Sequence, residues 1–309
     1  MQRRELMKCT IVGAAAAFAP VGGPAPSAAA EDGDAVADAH LTTPLTAPTS
    51  GRIKVAFFIS PGAEVVDFAG PWGVFEYVRV GEDQHNPFEL YTVAASREPV
   101  VASGGMTIAP DHVFADAPAP DVVVVPATDL AEVAPAAFDW LRSVQKDAAV
   151  IMSVCNGSFV LAKAGLLDGK RATAHHGGYG MLRAMYPDVT VIRGMRYVED
   201  GKIATSGGLT SGVDLAMRVV ERYFGRAVAE KTAKNLEYQG EGWKRPASNA
   251  AFAERPAGTA ERPLDPVCES QVDKKTALQR EHKQKTYYFC SDMCLSHFEQ
   301  APERFIDPS

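Results

Sequence analysis

The chain has 309 residues, of which 46% are hydrophobic and 22% are charged, and its formal net charge is −7. This length allows a full hydrophobic core with room for a second, smaller domain. The acidic balance, without a run rich in lysine or arginine, argues against a nucleic acid as partner.

The N-terminus is typical of an export signal. Arg3 and Arg4 precede a weakly apolar run at residues 11–19, and three alanines at 28–30 offer a small-residue cleavage site. This order predicts a twin-arginine signal peptide over residues 1–30 and a periplasmic protein. The apolar run is far shorter than the ~20 residues of a membrane span. We therefore expect no membrane association after cleavage; the alternative is an amphipathic start retained in the cytoplasm.

Two segments rich in alanine, proline and polar residues divide the rest of the chain. Residues 31–50 and 243–262 show no hydrophobic period, and we interpret both as linkers. They separate a main domain at 51–242 from a small C-terminal domain at 263–309.

Within the main domain, apolar runs alternate with helical patterns. The four consecutive valines at 122–125 are typical of a strand that is covered on both faces, as in parallel sheets. The alternation predicts an α/β fold in which ligands bind at the carboxyl ends of the strands. In chain order, the predicted elements are a strand at 53–59, a helix at 71–80, strands at 88–94 and 122–125, a helix at 136–146, a strand at 149–154, a helix at 157–164, strands at 189–192 and 197–205, and a helix at 213–224.

Residues 153–157, which read Ser-Val-Cys-Asn-Gly, join a predicted strand to a predicted helix. A sharp turn of this kind, the nucleophile elbow, holds its central side chain above the sheet. The N–H groups at the start of the helix would lower the pKa of the Cys155 thiol and hold a developing anion. Spacing alone supports equally a buried cysteine that acts as a small hydrophobic residue.

Five segments carry a family resemblance: residues 61–62, 67–71, 155–158, 164–175 and 205–208. They resemble the ThiJ/PfpI superfamily, most closely its branch of isonitrile hydratases and ligand-binding domains of AraC-like regulators. The resemblance covers roughly residues 53–240. It implies a flavodoxin-like three-layer sandwich of the class I glutamine amidotransferase-like type, a homodimer and a small-molecule site without a cofactor.

The resemblance also gives Cys155 two partners. Asp67 matches a carboxylate that can exchange a proton with the thiol and orient water, although its place before a helical stretch also suits an N-cap. His175 matches a histidine that approaches the cysteine and could stabilise a thiolate; the alternative is a surface turn histidine. Asn156 stands where related proteases have histidine, which argues against a Cys-His protease dyad.

Three further residues are expected to bind substrate or an oxyanion: Asn156, Gly157 and Thr128. Two of these positions depart from the family pattern. Asn156 replaces a threonine that is common in isonitrile hydratases, and Ala127-Thr128 replace glycines whose N–H groups help to hold an oxyanion.

The C-terminal segment has three cysteines, Cys268, Cys290 and Cys294. With the aromatic residues around them, they resemble a YHS domain over about residues 264–307, a small module associated with copper and other heavy metals. So short a segment cannot bury a large hydrophobic core, and it needs a disulfide or a bound metal to be stable. Three thiolates suit a soft ion such as Cu(I) or Zn(II).

The sequence leaves the fourth ligand open among Asp265, His297 and water. The alternative to a metal is a Cys290–Cys294 disulfide or a module without metal in an oxidising compartment.

Two functions follow from these patterns. The first is a hydratase of the isonitrile hydratase type, in which Cys155 attacks an electrophilic carbon and Asp67 activates water; a glyoxalase-like reaction or an amide hydrolysis is also compatible. The second is a periplasmic protein without catalysis that senses or handles a ligand, an oxidant or a heavy metal such as copper.

Overall fold

The computed structural model describes residues 43–306. The predicted signal peptide and most of the predicted linker at 31–50 lie outside these residues. Within 43–306, no helix is both long and apolar enough to span a membrane.

Seven strands of the main domain form one central sheet, and four more form two small two-stranded sheets, β3 with β4 and β8 with β9. The strands are β1 (Ile53–Phe58), β2 (Phe88–Ala94), β3 (Val100–Val101), β4 (Thr107–Ile108), β5 (His112–Val113), β6 (Val122–Val125), β7 (Val150–Ser153), β8 (Arg171–Ala172), β9 (Thr190–Val191), β10 (Tyr197–Asp200) and β11 (Ile203–Ser206). The order across the central sheet is β10-β11-β7-β6-β1-β2-β5. All neighbours in it are parallel except β10 and β11.

Six helices cover the two faces of this sheet. They are α1 (Val65–Tyr77), α2 (Pro135–Val144), α3 (Gly157–Lys163), α4 (Tyr179–Met185), α5 (Ser211–Phe224) and α6 (Arg226–Asn235). Helices α1, α5 and α6 pack on one face, and α2, α3 and α4 pack on the other. The valines of β6 alternate between the two cores, as a strand buried on both faces requires. The predicted three-layer α/β sandwich is confirmed.

The segment at 243–262, predicted as a linker, lies against the main domain. Trp243 is 2% exposed and belongs to the core beneath α5, and its carbonyl accepts a hydrogen bond from the Tyr197 hydroxyl (2.8 Å). The described end of the first predicted linker is packed as well: Leu45 touches the same core, and its N–H donates to the carbonyl of Arg222 (2.8 Å).

The C-terminal domain is a hairpin followed by one helix. Strands β12 (Leu278–His282) and β13 (Lys285–Phe289) pair antiparallel, and α7 (Asp292–Gln300) folds back over them. Its small core is centred on Phe289 and Phe298, whose ring centroids are 5.0 Å apart.

This small domain is docked on helix α4. A Cβ at Gly180 would lie 2.6 Å from the carbonyl oxygen of Cys268, so only glycine permits the approach. Beside it, the buried carboxylate of Glu269 forms ion pairs with three arginines. These are Arg183 (3.2 Å), Arg193 (2.8 Å) and Arg255 (3.3 Å). Burial of a carboxylate is tolerated here because several cations surround it.

Candidate functional site

Cys155 lies at a strained turn at the carboxyl end of β7. Its φ of +57° is in the left-handed region, which costs a residue other than glycine about 1–3 kcal/mol. The Cys155 N–H donates to the carbonyl of Gly207 (3.0 Å), which ties the turn to the end of β11. A Cβ at Gly157 would lie 2.2 Å from the Val125 carbonyl oxygen, so glycine is required there. The geometry is that of the predicted nucleophile elbow.

Asp67 faces this cysteine from the first turn of α1 and is fully buried. Its Oδ2 accepts a hydrogen bond from the Ala127 N–H (2.9 Å), whereas its Oδ1 has no hydrogen-bond partner among the described residues. The N-cap position of α1 is Glu64, so Asp67 does not act as the cap.

Burial raises the pKa of Asp67 to about 7, against the opposing effect of the Ala127 N–H, and the charge of Glu64 raises it further. A carboxyl group with this pKa exchanges protons readily at neutral pH, and its unpartnered oxygen leaves it free to accept or donate a proton within the site.

The expected lowering of the Cys155 pKa is wrong. Burial, followed by the charge of Asp67, raises the pKa of the thiol to about 11. The N–H groups of Asn156 and Leu209 act in the opposite direction but do not outweigh these effects. Cys155 is therefore a neutral thiol at pH 7, and its proton must leave during the reaction rather than before it.

His175 is the N-cap of a short 3₁₀ turn, His176–Gly178. Its Nδ1 accepts a hydrogen bond from the Gly177 N–H (3.1 Å), which leaves the hydrogen of the neutral ring on Nε2. Burial, and the neighbouring His176, lower the pKa of His175. A Cβ at Gly208 would lie 2.6 Å from Cδ2 of the His175 ring, so the ring packs on the turn that precedes Leu209.

The three predicted binding residues have different surroundings. Asn156 is the N-cap residue of α3, and its buried Oδ1 has no hydrogen-bond partner among the described residues. Gly157 serves close packing. Thr128 donates its hydroxyl to the Pro61 carbonyl (2.6 Å), and the N–H before it, that of Ala127, is bound by Asp67. Asp67 thus occupies part of the expected oxyanion site.

The sequence did not predict that the turn after β11 donates a hydrogen bond toward Cys155. Leu209 has a φ of +43°, and its N–H faces the Cys155 sulfur together with that of Asn156. The Ser-Gly-Gly run at 206–208 was a signal for this turn. Sequence reasoning also missed Asn249 and Phe252, which line a cavity beside it; the composition of their segment carried no signal.

The second candidate site is in the C-terminal domain. The ligand atoms of Asp265, Cys268, Cys290 and Cys294 all lie within 4.8 Å of one another. The Cys290 sulfur is 3.5 Å from that of Cys268 and 3.6 Å from that of Cys294, so the thiols are not bonded to each other. A tetrahedral zinc site with 2.3 Å bonds would separate its sulfurs by roughly 3.8 Å. The donor set therefore fits a soft metal ion.

Asp265 also holds the two cysteine loops together. Its Oδ1 accepts hydrogen bonds from the N–H groups of Val267 (2.8 Å) and Cys268 (3.3 Å), and its Oδ2 accepts one from Cys290 (2.9 Å). The hydrogen bond from Cys294 lowers the pKa of Cys268 to about 6. Among the fourth ligands that the sequence left open, this geometry favours Asp265 over His297, which is not part of the cluster.

The main domain is thus an α/β sandwich with one strained cysteine at a strand-to-helix turn, beside a buried carboxyl group. The chain belongs to the DJ-1/PfpI family, which its residues 53–222 match, and residues 264–308 match the YHS domain. Both resemblances expected from the sequence are confirmed.

Relatives of this chain include an enzyme and a regulator. It is 32% identical over 192 residues to isonitrile hydratase from Pseudomonas putida, a match that covers 60% of this chain and 78% of that protein. It is 29% identical over 183 residues to the HTH-type transcriptional regulator CdhR from Pseudomonas aeruginosa, with 58% of this chain and 53% of the regulator covered.

Solved structures share the fold. A THiJ/PfpI family protein from Pseudomonas syringae superimposes with a TM-score of 0.53 at 25% identity, covering 70% of this chain and 84% of that one. DJ-1beta from Drosophila melanogaster gives a TM-score of 0.52 at 23% identity, with coverage of 62% and 100%.

Proposed function

We propose that the main domain is a hydratase that adds water to an isonitrile and releases an N-formamide. The observation that carries this proposal is the Asp67 carboxyl group, which is buried beside Cys155, has a pKa near 7 and keeps one oxygen unpartnered. The substrate class comes from the P. putida relative.

In the first half of the reaction, the Cys155 sulfur bonds to the terminal carbon of the isonitrile. Because the thiol is neutral, its proton moves through Asp67 to the same carbon as the bond forms. The product is a thioimidate, R–N=CH–S–Cys155. The N–H groups of Asn156 and Leu209 stabilise the negative charge that develops on sulfur.

In the second half, water adds across the C=N bond of the thioimidate. Its hydroxyl goes to carbon, and its other proton, relayed by Asp67, goes to nitrogen. The C–S bond then breaks and the hydroxyl proton returns to Cys155, which leaves R–NH–CHO and the starting thiol. The net change is the addition of one water, and Asp67 ends each cycle as it began.

The test is formamide production from cyclohexyl isonitrile by the full chain, followed by proton NMR. We expect Cys155→Ala to abolish turnover and Asp67→Asn to lower kcat by about 10²–10⁴-fold. Cys290→Ser, which removes a thiol of the other site, is the control and should keep its activity. A wild-type chain that hydrates no isonitrile would contradict the proposal.

For the C-terminal domain, we propose a site for Cu(I) or Zn(II) held by Cys268, Cys290 and Cys294, with Asp265 as fourth ligand. The support is the closeness of these four donors and the match to the YHS domain. A metal bound there would be handled or sensed, which is the second candidate function.

Two further predictions concern the whole protein. We propose export to the periplasm through residues 1–30, which a reporter fused to these residues tests: export should stop when Arg3 and Arg4 are both replaced by lysine.

We also propose that the chain forms a homodimer, which sedimentation of the purified protein tests.

A further inference from the structure

A cavity of about 240 Å³ opens beside the turn after β11. Its inner wall includes His175 and Leu209, and the Leu209 N–H faces the Cys155 sulfur. The hydroxyl of Ser211, a buried residue on the same wall, has no hydrogen-bond partner among the described residues. The cavity is therefore connected to the reactive sulfur through the Leu209 turn, and its wall contains a polar group that no described residue satisfies.

The outer wall of this cavity comes from the segment between the two domains. The Phe252 ring stacks on the His176 ring at a centroid distance of 4.7 Å and an angle of 24°. Asn249 is buried and accepts a hydrogen bond from Arg196 (3.2 Å). The segment is fixed further along by Arg193, which donates to the Ala253 carbonyl (2.8 Å). These contacts hold the wall in place.

The charged group in the cavity is neutralised. Arg196 lines it, but its Nε donates to the carboxylate of Asp214 at 2.5 Å, and Asp214 is fully buried. A second guanidinium nitrogen of Arg196 donates to the Thr210 hydroxyl (3.1 Å). Because its charge is paired, Arg196 gives an anionic ligand little advantage. The other large side chains of the cavity are aromatic or apolar.

We propose that residues 249–252 form a specificity wall of the Cys155 site, and that the substrate carries an uncharged, flat apolar substituent that contacts Phe252 and His176. The proposal rests on the proposed function in that it takes Cys155 as the attacking group. Residues 249–252, which connect the two domains, would thus help to select the substrate.

The test uses alkylation of Cys155 in the full chain, measured at each cysteine by mass spectrometry, with iodoacetamide and N-phenyliodoacetamide as probes. For each variant, the rate constant with the aromatic probe is divided by that with the small probe. We expect this ratio at Cys155 to fall about tenfold in Phe252→Ala, as the loss of one aromatic contact implies. Tyr77→Ala is the matched control, because both side chains are 46% exposed and Tyr77 does not line the cavity.

The proposal would be overturned if the ratio at Cys155 stayed the same or rose in Phe252→Ala. It would also be overturned if the ratio fell equally in Tyr77→Ala. Iodoacetate tests the charge: its rate relative to iodoacetamide should be no higher at Cys155 than at the exposed Cys290. These alkylation rates can be measured whether or not the protein hydrates an isonitrile. A chain that shows the selectivity but hydrates no isonitrile would disprove the proposed function alone. A chain that hydrates isonitriles with unchanged selectivity in Phe252→Ala would disprove only the wall.

Discussion

The two thiol sites of this chain differ in the number of cysteines they bring together. Cys155 is a single thiol on a strained turn, and burial beside a carboxyl group raises its pKa. In the C-terminal cluster, the Cys290 sulfur lies 3.5 Å from that of Cys268 and 3.6 Å from that of Cys294. A hydrogen bond between Cys268 and Cys294 lowers the pKa of Cys268 and raises that of Cys294, and burial raises the pKa of Cys290. An isolated thiol with a proton-exchanging neighbour suits covalent chemistry, whereas clustered thiolates suit a metal.

The largest expected effect is a loss of Zn(II) affinity when a cysteine of the C-terminal cluster, but not Cys155, is replaced. Cys268→Ser should weaken Zn(II) binding by about 10³-fold, since one of four ligands is lost from a site whose total binding energy is large. Cys155→Ala should leave the affinity unchanged. Competition with a chromophoric chelator, using protein kept reduced, measures both. Equal losses in the two variants would show that the sites are not independent.

The next effect concerns stability at the Cys155 site. The pKa of Asp67 is raised in the fold, so its contribution to stability is present below its unfolded pKa of about 4 and is lost as the pH rises toward 7. Asp67→Asn cannot ionise and should therefore be more stable than wild type at pH 8 by about 2–4 kcal/mol. At pH 4 this advantage should disappear.

Urea unfolding of both proteins at the two pH values measures this difference. Glu76→Gln, an exposed position on the same helix, is the control for removal of a carboxylate from α1. An advantage of Asp67→Asn that is equal at both pH values would contradict a raised pKa.

A smaller effect is expected on the thiol itself. Removal of the Asp67 charge should lower the pKa of Cys155 from about 11, because a neighbouring negative charge opposes thiolate formation. The pH dependence of Cys155 alkylation by iodoacetamide in Asp67→Asn measures the shift. Glu64→Gln should give a shift in the same direction but smaller, since Glu64 is a weaker cause of the raised pKa. A midpoint that rises in Asp67→Asn would contradict this electrostatic coupling.

The smallest effect on either site is expected from separating the domains. Gly180→Ala would place a Cβ against the Cys268 carbonyl and should loosen the docking on α4. We expect faster proteolysis near residue 255, with less than about a tenfold change in zinc affinity or in Cys155 alkylation. Gly73→Ala, on α1 where a Cβ meets nothing within 4 Å, is the control. Unchanged proteolysis in Gly180→Ala would contradict the close approach.

Hydrophobic pattern predicted β1, β2, β6 and β7, because these strands are mostly buried. It did not predict β5, a strand of two partly exposed residues at the edge of the same sheet. It placed the start of the first helix at Pro71, whereas α1 begins at Val65 and has Pro71 inside it. Proline is unfavourable within a helix, so its position was a poor guide to where this one starts.

At the Cys155 site, the residue types were predictable but their protonation was not. The pKa of Cys155 depends on how deeply the fold buries the sulfur and on a carboxyl group 88 positions earlier in the chain. The wall at 249–252 had no hydrophobic period, because its contacts are single side chains inserted between elements of the main domain.

The packing of the 243–262 segment has a consequence for how this chain can be divided. A cut at residue 242 follows the composition of the sequence, but it would remove Trp243 from the core and Phe252 from the cavity. A cut at residue 262 would keep both and leave Arg183, Arg193 and Arg255 without Glu269. The C-terminal domain therefore cannot be replaced without loss of contacts to the main domain. A chimera that exchanges it should retain the connecting segment and a carboxylate at position 269.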